Sequence, residues 1–185
     1  MTCPSSNSPH SNPVMRLIRA DGRAAPGVCH ELVQATHGNP LAIGDLLELL
    51  SPAQLGGGEP LPDPLPAGPR ATAAFDRRLR ALDAEVASAL LVAAASDSGD
   101  LAEIHAALAA VELDPGALER AEAAGVIGLT PPELSFRHPL MRSVIYQSAP
   151  DAARRRAHGA LASVLDDASA GRRAWHLALA AAGPD

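Results

Sequence analysis

The sequence contains no lysine, so all 15 of its cationic side chains are arginine. A P-loop needs a Lys ammonium against the β and γ phosphates, set behind a glycine-rich turn whose N–H groups hold the oxygens. The glycine cluster here, Gly56 to Gly58, runs into Glu59 and Pro60 instead. The chain therefore has no Walker A site. Aromatic residues are nearly absent at 2%, which favours closely packed, Ala-rich helices over a β-sandwich built on large rings. Two cysteines, Cys3 and Cys29, are too few for a disulfide framework and suit a reducing compartment. No apolar run approaches the ~20 residues of a membrane span, and the start, MTCPSSNSPHSNP, lacks the apolar core of a signal peptide. A cytoplasmic protein without membrane partners is the expectation.

Positive charge is also in short supply. The formal net charge is −6, which argues against a general nucleic-acid surface, because duplex affinity comes largely from cations displacing phosphate counterions. His105 and His158 have no Cys, Asp or Glu at the spacing of a metal pair, and no GxSxG elbow focuses a Ser/His/Asp triad. Neither a metal site nor a catalytic centre is expected.

What is present is helical periodicity on 185 residues, of which 47% are hydrophobic, enough for a real core. Residues 1–15, rich in Ser, Pro and Asn, read as a disordered tail. Val28, Leu32 and Val33 mark a helix that Gly38 ends, and Asn39 with Pro40 starts the next, Leu41 to Leu50. Gly44 inside it costs about 1 kcal/mol relative to Ala. Residues 51–70 carry six prolines and four glycines and read as an extended linker. Phe75, Leu79, Leu82, Val86 and Leu90 then form one stripe on a long helix, and Leu101, Ile104, Leu108 and Val111 a second. Asp114 and Pro115 open a third helix that closes at Gly125.

After these helices the texture changes. Val126 to Leu129 and Leu134 to Arg137 flank Thr130, Pro131, Pro132 and Glu133, reading as a hairpin around a proline turn. Three helices followed by a hairpin is the order of a winged helix. Pro139 and Pro150 each begin a further helix, and Arg172 to Ala182 make the last.

Three segments, ATHGNPLAIGDLLELLSPAQLGGGEPLPDPLPAGPR, FRHPLMRSVIYQSAP and RRAWHLALAAAGPD, in that order and spacing, resemble the large ATP-binding LuxR-type transcription regulators of the STAND class. The resemblance runs from Arg16 to Asp185. It implies a mainly α chain: a helical lid segment at 16–50, the linker at 51–70, a winged-helix domain with a short β-hairpin at 71–168, and the first helix of a repeat region at 169–185. It further implies that an ATPase core upstream and a DNA-binding domain downstream are missing. ATP or ADP would then bind only in the context of a full-length protein, with none held by this chain alone. The partner would be that nucleotide-binding core, in cis or encoded adjacently.

Within that resemblance Gly38, Asn39, Pro40 and Leu41 form the lid motif, with the proline near the adenine and ribose of a bound nucleotide. A proline at a helix start does present a rigid apolar surface beside free backbone N–H groups, and it equally serves as a plain connection between two helices. His138 resembles the winged-helix histidine that reaches the β-phosphate of ADP. A helix N-terminus favours an anion and an imidazole can donate to it, while the alternative is that His138 only caps its own helix. Arg137 and Arg142 flank the site as possible phosphate-side support or as solvated surface arginines.

Other marked residues read more plainly. Arg154, Arg155 and Arg156 span nearly a full turn and cannot line one groove. Trp175, beside His176, reads as a packing anchor. Two other functions stay open. A stand-alone helical interaction module would use its Ala-rich helices to dock a protein partner. Direct DNA binding is disfavoured, because the third helix carries Asp114, Glu119 and Glu122 against Arg120.

Overall fold

Local signals for starting helices, rather than bulk hydrophobicity, set the element boundaries. The computed structural model describes Gly22 and residues 24–181, so the expected tail at 1–15, and Cys3 with it, lies outside the described residues. Prolines occupy the first turn of five helices: α1 (Pro26–Thr36), α2 (Pro40–Leu49), α3 (Pro52–Leu55), α4 (Pro69–Leu79) and, further on, α8 (Pro139–Ser148). Proline fits there because its φ is already helical and its missing N–H would have had no partner. Between them lie α5 (Ala84–Ala95), α6 (Leu101–Ala110), α7 (Gly116–Ala123) and a hairpin of β1 (Ile127–Thr130) and β2 (Glu133–Phe136). After α8 come α9 (Asp151–Val164), a 3-10 turn and α10 (Ala170–Ala180). The protein is mainly helical with one short antiparallel hairpin, which α5, α6 and α7 directly precede.

The long helix expected through Phe75 and Leu90 is in fact two. Asp83 breaks it by accepting from Val86 N–H at 2.8 Å, which makes it the cap of a new helix at Ala84. Apolar spacing continued across the break, and the cap overrode it. The 51–70 segment departs from a free linker as well. Ser51 and Gln54 form a capping box around one turn of helix, which buries Leu55. Beyond it, Gln147 of α8 accepts from Ala67 N–H at 2.8 Å and donates to Leu65 O at 3.1 Å. The segment is strapped to α8.

Two cores result. The larger is centred on α5, whose residues from Ala89 to Ala95 are all buried, and it takes in Ile104, Leu108, Leu118, Ile127, Met141 and Leu161 from the elements around it. A helix apolar on every side has to be enclosed, and its alanines let neighbours approach closely. The smaller core joins α1 to α2 and α3 through Val28, Leu32, Leu46, Leu50 and Leu55. Ala42, Ala71, Leu140 and Val144 link the two by packing α2, α4 and α8 together.

The hairpin is held in register Ile127↔Phe136 to Thr130↔Glu133. It is anchored from outside, with Leu134 N–H donating to Gly99 O and Leu101 N–H to Pro132 O, each at 2.9 Å. No helix among the described residues is long and apolar enough to cross a membrane.

Candidate functional site

The connection between α1 and α2 is a tight three-residue reversal, His37 to Asn39. His37 and Gly38 both adopt left-handed backbone, φ 51° and 72°, and Gly38 N–H returns to Val33 O at 2.9 Å. This closes α1 and leaves the His37 ring projecting at the turn. Asn39 then caps α2, its Oδ1 accepting from Leu41 N–H at 3.1 Å and Ala42 N–H at 3.4 Å. Those amides are therefore occupied, which corrects the expectation that free N–H groups lie beside Pro40. What the motif offers outward is the Pro40 ring and Leu41, whose side chain is 60% exposed.

His138 sits at the other motif. It caps α8 with its Nδ1, which accepts from Leu140 N–H at 3.2 Å. An Nδ1 that accepts requires the neutral ring to carry its proton on Nε2. Nε2–H makes no hydrogen bond among the described residues. Capping and ligand donation thus use different nitrogens of one ring, and the two readings of His138 are compatible. Burial, and next the charge of His37, lower its pKa, which favours this neutral donor form.

The fold brings these two motifs together. The His37 and His138 rings are 4.8 Å apart at 48°, and Phe75 of α4 lies 5.3 Å from His138 on its own side. Residues about 100 positions apart in sequence thus share one aromatic cluster. Neither flanking arginine joins it. Arg137 lies back along the hairpin, donating from Nε to Ile127 O at 3.3 Å. Arg142 donates to Ala94 O at 2.9 Å, to Ser96 O at 2.7 Å and to both carboxylate oxygens of Asp63. It closes the C-terminus of α5 and ties down the 51–70 segment, which engages four of its five N–H donors and leaves a single Nη1 hydrogen free.

An extended polar network lies elsewhere, and little in the sequence pointed to it. Tyr146 Oη is 2.7 Å from His158 Nε2, His158 Nδ1 is 2.8 Å from His176 Nδ1, and His176 Nε2 is 3.3 Å from Asp97 Oδ1. Asp97 in turn shares Arg172 with Glu103. One direction satisfies every atom: Tyr146 O–H donates to His158, His158 Nδ1–H to His176, and His176 Nε2–H to Asp97. Both imidazoles are then neutral. Burial, then His176 and the Arg142 and Arg154 cations, lower His158 to about 4. Arg172 holds Asp97 well below the usual carboxylate range.

This chain locks α8, α9, α10 and the α5–α6 loop together. Trp175, 38% exposed, covers it edge-on, 5.6 Å from His158. The one signal in the sequence was that His158 continues the Leu161 and Leu165 stripe of α9 back by three residues, which places it on the buried face.

The remaining marked residues fit their plain readings. Arg154 pairs with Asp151 and lies 5.5 Å over the Tyr146 ring. Arg120 of α7 is ringed by Asp83, Glu85 and Asp114. Among the described residues no group of three or more His, Cys, Asp or Glu could hold a metal ion. Comparison with known proteins found no matching family model, no similar curated protein and no matching solved structure.

Proposed function

We propose that this chain is the lid and winged-helix portion of a nucleotide-switched, LuxR-type transcription regulator, contributing half of an ATP or ADP site and no catalysis of its own. The observation that carries the reading is the packing of His37 on His138, which joins the GNPLA turn to the start of the FRHPL helix. An adenine against Pro40 and a phosphate oxygen at His138 Nε2–H would bridge the two motifs, with the partner core supplying the remaining phosphate contacts. Asn39 and His138 would then act mainly by shaping the two helix starts, and Pro40 and Leu41 by apolar contact. Such a switch works by differential affinity, because a nucleotide that bridges core, lid and winged helix holds the closed state. In this reading the protein acts in the cytoplasm and contacts DNA only through a domain outside these residues.

Nucleotide titration tests the reading. Isothermal titration with ADP gives no saturable heat in the micromolar range, because half a site lacks a phosphate loop. At millimolar ADP, amide NMR shifts gather at His37 to Asn39 and at His138 and Leu140. Micromolar binding would mean a phosphate site elsewhere in the chain, and unmoved amides at both motifs would remove the half-site.

A second reading, a helical interaction module, is favoured by the large apolar side chains left exposed on two helices, Leu41 and Leu49 on α2 and Leu177 and Leu179 on α10. Direct DNA binding by α7 gains no support, since its arginine is surrounded by carboxylates.

A further inference from the structure

A cavity of about 300 Å³ lies between the end of α1, the strapped 51–70 segment, the tip of β2 and α8. Its walls are apolar and largely flat or rigid: Ala35, Pro64, Leu65, Phe136 and Pro139. Ser143 is the exception. Its residue is only 3% exposed, it lines the cavity, and its hydroxyl has no hydrogen-bond partner among the described residues. No side-chain N or O atom that is sealed from solvent lacks a partner among the described residues, so this hydroxyl keeps its access through the cavity. A hydroxyl that meets solvent only through a cavity is hydrated there, and a ligand that enters has to replace that hydrogen bond with a polar atom of its own.

The charged part of the wall restricts that ligand further. Arg142 and Asp63 both border the cavity, and they neutralise each other through a bidentate pair while the rest of the guanidinium holds Ala94 O and Ser96 O. A charged ligand would have to break this arrangement or face it without compensation. The volume lies at the lower limit of small-molecule sites, which are mostly apolar with a few placed polar groups.

We propose that this cavity binds a small neutral aromatic amide or a close isostere, its ring between Pro64, Phe136 and Pro139 and its polar group on Ser143 Oγ. None of its lining residues is among those assigned to the nucleotide half-site, although Ala35 and Pro139 are near neighbours of His37 and His138 along the chain, and it needs no phosphate. Because its walls come from both the α1 to 51–70 region and the hairpin with α8, an occupant fastens the smaller core to the larger one. It is thereby an effector site, able to bias how firmly the two parts pack.

Benzamide is the probe. Titrated into the ¹⁵N-labelled chain, it shifts the amides of Ala35, Leu65, Arg142 and Ser143 with a dissociation constant in the millimolar range, whereas benzoate, of the same shape but anionic, binds several-fold more weakly. Ser143→Ala keeps the fold, since its hydroxyl holds nothing within the protein, and weakens benzamide by roughly two- to tenfold, the worth of one hydrogen bond. Ser143→Leu fills the cavity and abolishes binding. The proposal is overturned if benzamide moves none of these amides up to its solubility limit, if the shifts lie elsewhere, or if Ser143→Ala binds as tightly as the parent. None of these results bears on ADP binding, which separates the failure of this site from the failure of the nucleotide reading.

Discussion

Asp45 occupies the space that a Cβ on Gly68 would need. The carboxylate, 4% exposed, reaches across from α2 to accept from Arg70 N–H at 3.3 Å and pairs with the Arg70 guanidinium. It therefore caps α4 from another helix, where Gly68 has no side chain to do so. Gly68→Ala forces the carboxylate out of this position and destabilises the protein by about 1–3 kcal/mol, read as a lower urea midpoint at unchanged slope. Asn39→Ala and His138→Ala each remove a helix cap and lower stability by about 1 kcal/mol. His138→Ala also erases the ADP-dependent shifts at the FRHPL motif, whereas Asn39→Ala leaves those shifts in place. That contrast separates a ligand-facing nitrogen from a purely local cap.

At the scale of elements, α10 is tied on through polar groups more than through apolar ones, since His176 is its one fully buried residue. The tie should be sensitive to acid. An unfolded histidine takes up a proton near pH 6.5, while folded His158 resists it down to about 4. Between those values the unfolded state holds more protons, so stability contributed by the neutral pair is complete above about pH 6.5 and falls as the pH drops towards 4. His176 shifts the same way, its burial outweighing the opposing pull of Asp97. Asp97 adds a further loss as the pH passes through the ordinary carboxylate range.

The groups facing the pair come from every neighbouring element: Tyr146 and Arg142 on α8, Arg154 on α9, Arg172 on α10, Glu103 on α6 and Asp97 on the loop. Trp175 is the only tryptophan in the chain, so its fluorescence reports α10 directly. Thermal unfolding followed at Trp175 shows a midpoint that drops between pH 6.5 and 4, and His158→Gln flattens that slope. A midpoint independent of pH in this window would mean that the pair carries no stability. On α8, Arg142→Met removes the partner of half-exposed Asp63 and of two carbonyls and lowers stability by about 1–3 kcal/mol, with the 51–70 amides the first to lose hydrogen-exchange protection.

For the whole molecule, the two unequal cores predict unequal protection. Amides of α5, enclosed on all sides, exchange slowest, and those of α1 to α3, held by the smaller core and the strap, exchange faster by native-state hydrogen exchange. Uniform protection across both would show a single cooperative unit.

Much of this architecture was legible from the residues alone, because proline at the first helical position, Asn and Asp caps, and three- and four-residue apolar spacing act over a single turn of chain. The hairpin at Pro131 and Pro132, the Asn39–Pro40 restart and the Ala-rich helices are all of this local kind. The long helix through Phe75 and Leu90 misled for a local reason too, since Asp83 competes with periodicity. What only the tertiary structure decided is pairing. Arg142 read either as phosphate-side support or as a solvated surface arginine until the fold set it against Ala94, Ser96 and Asp63, and nothing in the sequence paired His158 with His176 until α9 and α10 packed. The His37–His138 contact likewise depends on how α1 and α8 cross. The lack of lysine excluded a Walker A loop within these residues from the sequence alone, since chemistry that is absent needs no geometry. Which of the remaining polar groups meet is a question of distance, and only packing answers it.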